Sequence, residues 1–402
     1  MTRMTLVKAR MNRGTGALSV LLAASLALVP STTAHADEIR SQQWALDAMH
    51  AREAWRTTKG AGVTVAVLDT GVDDEHPDLA GNVLPTKDMV GFGASRGDET
   101  WAVHGTSMAG IIAGHGHGPG RADGVLGIAP EARILPVRVI LEEKDPARSK
   151  ARNTRGNALA EGIRWAADQG ADVINLSLGD DSKSAHPEPA EDAAVEYALK
   201  KGSVVVASAG NGGEKGDRIS YPAAYPGVIA ATAVDKYGTR ASFSTRRWYA
   251  TVSAPGDDVV IASPDRRYYE GWGTSAAAAF VSGAVALVRA AHPGLTPAQI
   301  KQLLEDTARD APAGGRSDSY GFGFVDPEAA IKAGGKLEPE GLHPAGYGQK
   351  YFGSGPDPDQ DGGSAFSWAA PVAGGLGILL LGGAVVLWRG RIRRDHTDHY
   401  GV

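Results

Sequence analysis

Five nearly continuous apolar, β-branched runs constrain this chain more than any other feature: Val63 to Leu68, Ile134 to Ile140, Val173 to Leu178, Val204 to Ala207 and Val228 to Val234. A strand with one wet face alternates apolar and polar residues. Unbroken runs therefore predict strands buried on both faces, as in a parallel sheet covered by helices. The intervening segments supply the cover. Thr106 to Ala113, Ala158 to Asp168 and Ala190 to Lys200 have helical period and can serve as crossovers, while Ser275 to Ala291 reads as a long Ala-rich helix. Thr296-Pro297-Ala298-Gln299 is a capping box with proline at the first helical position, and Asp326-Pro327 opens a last short helix in the same way. The predicted fold class is α/β: a doubly wound, mostly parallel sheet with helices on both faces, whose ligands sit at the carboxyl ends of the strands.

Composition narrows the function. With 402 residues, 43% apolar and 22% charged, the chain holds one large domain plus appendages, and wholesale disorder is excluded. A net charge of −5 without a long basic run argues against a nucleic-acid partner. The absence of cysteine removes disulfides, thiol catalysis and Cys metal sites together.

Both ends carry targeting signals. Residues 1–36 hold Arg3, Lys8, Arg10 and Arg13 without an acid, then an apolar run from Ala17 to Val29, then Ala34-His35-Ala36, the layout of a signal peptide cleaved after Ala36. Residues 367–388 read as a transmembrane helix, and Arg389, Arg391, Arg393 and Arg394 follow it directly. By the positive-inside rule the 389–402 tail is cytoplasmic and the part before the span is extracellular, on a single-pass cell-membrane protein. Without the leader's four positive charges and the tail's net +2, the exported part carries −11. Between them lie an N-terminal extension (37–60), the main domain (61–335) and a Gly/Pro/Asp-rich linker (336–366).

Three segments fall where the fold places chemistry. VTVAVLDTGVD (63–73) ends a buried strand in Asp69, HGTSMAGIIAG (104–114) starts a small-residue helix with His104, and GWGTSAAAAFVSGAVALV (271–288) sets Ser275 at the mouth of a long helix. Taken singly, each has a plainer reading: Asp69 as a turn residue or cap, His104 as a cap, Ser275 as an N-cap. Taken together they supply a carboxylate, an imidazole and a hydroxyl. Serine is a weak nucleophile that needs a neutral imidazole to accept its proton and a carboxylate to orient and stabilise that imidazole.

VAVLDTGVD, HGTSMAG, SAGN and GTSAAAAFVSG resemble the aspartate, histidine, oxyanion-asparagine and serine blocks of the subtilisin-like serine proteases, over roughly residues 50 to 335. Their order, Asp then His then Ser, is the subtilisin order. The resemblance implies a serine endopeptidase acting on polypeptide, with Asn211 as oxyanion donor beside the Ser275 backbone N–H. It also implies a substrate-binding edge at Ser177, Leu178 and Gly179 that pairs with an extended peptide, and room beside Gly210 for the residue before the scissile bond. The signal peptide, the segment leading into the Asp block, the tether and the C-terminal span are similar to the mycosins, membrane-anchored subtilases that accompany type VII secretion systems. By that resemblance residues 37–60 wrap the domain, and a type VII membrane complex is a partner. The alternative is a structural component of a secretion complex whose proteolysis is secondary.

The sequence departs from the family in three ways. Ala279 stands where proline is usual, four residues past the serine, so the helix is expected to run straighter. Mycosins commonly carry disulfides, which this chain lacks. Calcium is frequent in the family, yet no cofactor or metal ligand set is identifiable here. A second GTS places Ser107 three residues beyond His104, but without a nucleophile turn of its own. His115 and His117 lack the further ligands that a metal site requires. His76 reads as structural, and residues 141–156, with Glu142, Glu143, Arg148 and Arg152, read as an exposed loop before a helix.

Overall fold

The structure, a computed structural model, describes residues 5–6 and 36–341. Apart from residues 5–6 and Ala36 the expected signal peptide lies outside the described residues, as do most of the expected linker, the expected 367–388 transmembrane helix and the expected tail.

Seven strands form the central sheet in the order β10 (Ala250–Pro255), β9 (Ile229–Val234), β8 (Val204–Ser208), β7 (Val173–Leu176), β2 (Thr64–Asp69), β6 (Arg133–Arg138) and β3 (Lys87–Asp88). Every pairing in this sheet is parallel. The five apolar runs are β2, β6, β7, β8 and β9, and the two edge strands are additions that hydrophobicity did not announce. An antiparallel hairpin of β11 (Val259–Ala262) and β12 (Tyr268–Gly271) stands apart, joined by β1 (Thr5–Leu6), and β4 (His115–His117) pairs with β5 (Asp123–Leu126).

Helices cover both faces of the sheet. Val65 and Val67 of β2 face a core with α4 (Val103–Ala113), α8 (Thr274–Ala291), α9 (Pro297–Asp306) and α10 (Pro327–Gly334). Ala66 and Leu68 face the opposite core, with α6 (Ala158–Asp168) and α7 (Pro189–Lys200). Side chains alternate across a strand, so one continuous apolar run supplies both cores. Each fully buried valine or leucine contributes about 1.5–3 kcal/mol. The capping box at Thr296 forms as expected, Asp326 caps α10 through the Ala329 N–H, and α8 runs unbroken through buried Ala279.

Among the described residues, α8 is the one helix apolar and long enough to cross a bilayer. It is the buried core helix of the domain. Short helices α1 (Ala36–Ser41), α2 (Trp44–Ala48) and α3 (Ala51–Ala54) lie along the domain. Trp44 Nε1 donates to the Asp258 carbonyl at 2.9 Å, Trp55 Nε1 to the Ile128 carbonyl at 2.7 Å, and His50 Nδ1 meets Asp326 at 2.8 Å.

Residues 141–156 are largely exposed and precede α6, as expected, and the structure adds a short helix within them. Arg148–Thr154 forms α5, and Leu141, Asp145 and Ala151 are the buried residues that anchor the segment to the domain.

Small residues set how closely the helices approach. A Cβ on Gly105, in the first turn of α4, would overlap the Gly71 carbonyl oxygen, which is backbone and cannot swing away. Gly105→Ala is expected to cost about 3 kcal/mol by overpacking, read as a fall in the urea midpoint at constant slope; an unchanged midpoint would show that α4 has slack there.

Candidate active site

Strand β2 delivers Asp69 to the carboxyl edge of the sheet, where the chain turns at Gly71, in the left-handed region at φ 105°. The carboxylate is buried, and its Oδ1 accepts the Thr70 backbone N–H at 2.7 Å. Both of its oxygens lie 2.9 Å from His104 Nδ1. His104 is the second residue of α4, and its ring remains 31% exposed. The carboxylate thus fixes Nδ1–H as donor and leaves Nε2 as the basic nitrogen.

Helix α4 has no side-chain cap of its own, because Ala102 stands at that position. Glu142 takes over the role from the segment after β6, its Oε1 accepting the His104 backbone N–H at 2.8 Å. The His104 pKa is the outcome of opposing effects. Burial pushes it down; the charge and hydrogen bond of Asp69, then the charge of Glu142, push it up, and Arg148 opposes them. The net result is a rise to about 9.

Ser275 is the second residue of α8, after Gly273 at φ 141°. It does not cap the helix: Gly273 occupies that position. Ser275 Oγ donates to the Ser177 carbonyl at 3.0 Å, and Ser177 Oγ donates to the Ser275 carbonyl at 2.8 Å. In this state the hydroxyl is turned to the Ser177 carbonyl and not to the imidazole.

Asn211 follows β8. Its Oδ1 accepts from the Thr274 N–H at 3.0 Å and from Thr274 Oγ1 at 2.9 Å, so Nδ2, which has no acceptor among the described residues, is the end left to meet a ligand. Gly210, at φ 107°, donates its N–H to Thr274 Oγ1 at 3.2 Å. A Cβ there would lie 2.9 Å from Thr245 Oγ1 and 3.1 Å from Ser220 Cβ, so glycine is required by both conformation and space. Leu178 accepts a hydrogen bond from Ser208 Oγ at 3.2 Å, and a Cβ on Gly179 would come 2.6 Å from Ser220 Oγ.

Asp69, His104, Ser275, Asn211, Ser177, Leu178, Gly179 and Gly210 all line one cleft of about 1120 Å³. Its rim is held by charge: buried Asp73 pairs with Arg96 at 2.7 Å and with Arg266 at 3.1 Å. Thr274 and Glu142 are the contributors that the motifs do not reveal. Thr274 is visible in sequence only as the neighbour of Ser275, and Glu142 only as one acid in a charged stretch.

The competing candidates are committed elsewhere. Ser107 Oγ donates to the Ala262 carbonyl at 2.8 Å and the Val103 carbonyl at 3.0 Å, a structural serine tying α4 to β11. His115 faces carbonyl oxygens with both nitrogens, at 2.7 and 3.0 Å. His76 is buried beside Asp78, whose N–H it accepts at 3.2 Å.

Calcium, frequent in the family, needs several convergent oxygens. Among the described residues no three His, Asp or Glu side chains converge. Asp78, the buried carboxylate nearest the His117 loop, has both oxygens engaged: Oδ1 with His117 at 2.6 Å, and Oδ2 with Tyr268 Oη at 2.8 Å and the Val125 N–H at 3.0 Å. These residues do not fit the ion.

The chain is similar to known proteins over most of its described residues. The Subtilase family model (Peptidase_S8) matches residues 60–323. Fervidolysin of Fervidobacterium pennivorans is 37% identical over 328 residues, 74% of this chain, which spans 45% of that relative's length. Thermitase of Thermoactinomyces vulgaris is 37% identical over 268 residues, 67% of this chain and 88% of the relative. Among solved structures, MycP1 from the ESX-1 type VII secretion system superposes with a TM-score of 0.61 at 31% identity, covering 76% of this chain and 88% of that one. On sequence, fold and the arrangement of the cleft, the chain belongs to the subtilase family of serine peptidases.

Proposed function

We propose that this chain is a membrane-anchored, extracellular serine endopeptidase of the mycosin kind, working with a type VII secretion system. The observation that carries the catalytic part is the buried Asp69 carboxylate, 2.9 Å through both oxygens from His104 Nδ1, in the cleft that also holds Ser275 and Asn211. The anchoring part rests on the leader and the apolar 367–388 segment with its trailing arginines; the secretion part rests on the likeness to MycP1.

A polypeptide lies along Ser177, Leu178 and Gly179 as an added strand. The Ser275 hydroxyl rotates from the Ser177 carbonyl toward His104, and Nε2 accepts its proton as Oγ attacks the peptide carbonyl. The oxyanion is held by Asn211 Nδ2 and the Ser275 N–H; a donor of this kind is worth about a hundredfold to a thousandfold in turnover, a magnitude established in subtilisin itself. The imidazolium, stabilised by Asp69, returns the proton to the departing amine. Water, deprotonated by His104, then releases the acyl group and regenerates the serine.

A membrane-impermeant fluorophosphonate applied to intact cells is expected to label Ser275 in the membrane fraction, to label Ser107→Ala equally, and to miss Ser275→Ala. Label on Ser107, or a soluble labelled chain, would overturn the assignment.

For His104 to act as base it must be neutral, and its raised pKa means that it charges below about 9. The kcat/KM is therefore expected to fall about tenfold per unit as pH drops below that value. Glu142→Gln removes a charge that favours the imidazolium and is expected to move this acid limb to lower pH; a limb that stays in place would remove Glu142 from the account. The His104–Asp69 pair stabilises the fold fully below the ordinary His value of about 6.5, and this contribution is lost as pH rises through about 9.

Deleting the gene is expected to block export of small type VII substrates, with Ser275→Ala failing to restore it. Full restoration by Ser275→Ala would favour the scaffolding alternative.

A further inference from the structure

The segment from β4 to β5, residues 115–126, has an unusual backbone and an unusual partner. Gly116, Gly118, Gly120, Arg121 and Gly124 all adopt positive φ, between 56° and 77°, and the carbonyls of Arg121, Asp123 and Gly124 come within reach of one side chain. Backbone carbonyls are among the ligands that calcium takes, and a cationic donor can satisfy the same oxygens. Here they meet Arg40, which arrives from a segment 84 residues away in the chain. Its Nε donates to the Gly124 carbonyl at 3.2 Å, and its Nη2 donates to the Asp123 carbonyl at 3.2 Å and to the Arg121 carbonyl. Burial pulls the guanidinium below its ordinary value, and the charges of Asp78 and Asp123 oppose that pull.

The neighbouring residue completes the attachment. Gln43 behaves as an added rung of the hairpin: its Nε2 donates to the Leu126 carbonyl at 2.8 Å and its Oε1 accepts the Leu126 N–H at 3.0 Å. The loop in turn supports α4. The His115 N–H donates to the Asp78 carbonyl at 2.8 Å, and the Gly127 N–H donates to the Gly114 carbonyl at 2.7 Å, at the end of the helix that carries His104.

We propose that the Arg40 guanidinium is a built-in cation that closes the 115–126 loop in place of a metal ion, making residues 36–44 a permanent strap and the fold independent of calcium. A guanidinium suits the position because its donors are fixed in a planar fork and it carries its charge at every working pH. Lysine would keep the charge but lose the fork.

The test uses the full chain with Ser275→Ala, purified in detergent, so that self-digestion does not enter. Its melting temperature is expected to be the same in excess EDTA and in millimolar calcium chloride. Arg40→Met is expected to lower it by about 5 °C, the scale for losing charge-assisted hydrogen bonds in a domain of this size. Hydrogen exchange in peptides covering 115–126 should rise by about tenfold, while β7 and β8 stay protected. Arg40→Lys is expected to fall between the two, and it serves as the test if Arg40→Met does not fold. A melting temperature of the Arg40 chain that climbs with calcium would overturn the proposal. So would a loop equally protected after the arginine is replaced.

Discussion

A carboxylate buried at the end of a parallel strand needs a cationic or hydrogen-bonding partner, because an unpaired buried charge is costly. Asp69 meets that need with the Thr70 N–H and both edges of the His104 Nδ1 contact. Everything else in the cleft is arranged around that solution. Helix α4 must come close enough to β2 for the ring to reach the carboxylate, which is why Gly105 rests against the Gly71 carbonyl. Helix α8 must present its first turn beside β7, which the mutual hydrogen bonds of Ser177 and Ser275 hold in place.

The charges that favour a protonated His104 come from two directions in the chain. Asp69 acts from the sheet and Glu142 from the segment after β6, both favouring the imidazolium, while Arg148 pulls the other way. The carboxylate of Glu142 also satisfies a backbone donor that Ala102 cannot. One side chain therefore serves geometry and charge at once, at the start of a helix whose dipole also favours a negative group there.

The parts of this molecule legible in the sequence are those where one local pattern carries the whole signal. Strands β2, β6, β7, β8 and β9 are apolar on both faces, and α9 and α10 announce themselves through Thr296, Pro297, Asp326 and Pro327. Strand β10 was hidden because ATVSAP mixes Thr, Ser and Pro into a buried edge; Thr251 is tolerated there because its Oγ1 accepts from the Ala230 N–H at 3.1 Å and meets Lys301 at 3.0 Å. Asp69, His104, Ser275 and Asn211 could be picked out by type and order. Glu142 could not, because its partner is 38 residues away and the surrounding charges read as a solvated face. Arg40 was hidden for the same reason, as a lone cation in a helix of six residues.

The two-sided burial of β2 carries one more implication. In a strand with a wet face, polarity tells the chain which way each residue must point. Here Ala66 and Leu68 are as apolar as Val65 and Val67, so polarity supplies no such ruler. Alignment is left to six partnered residues along β6 and three along β7. A slip by one residue would keep the oiliness of both cores and yet swing the Asp69 carboxylate to the far face of the sheet. The ladder that holds the scaffold together is thus also what calibrates the chemistry.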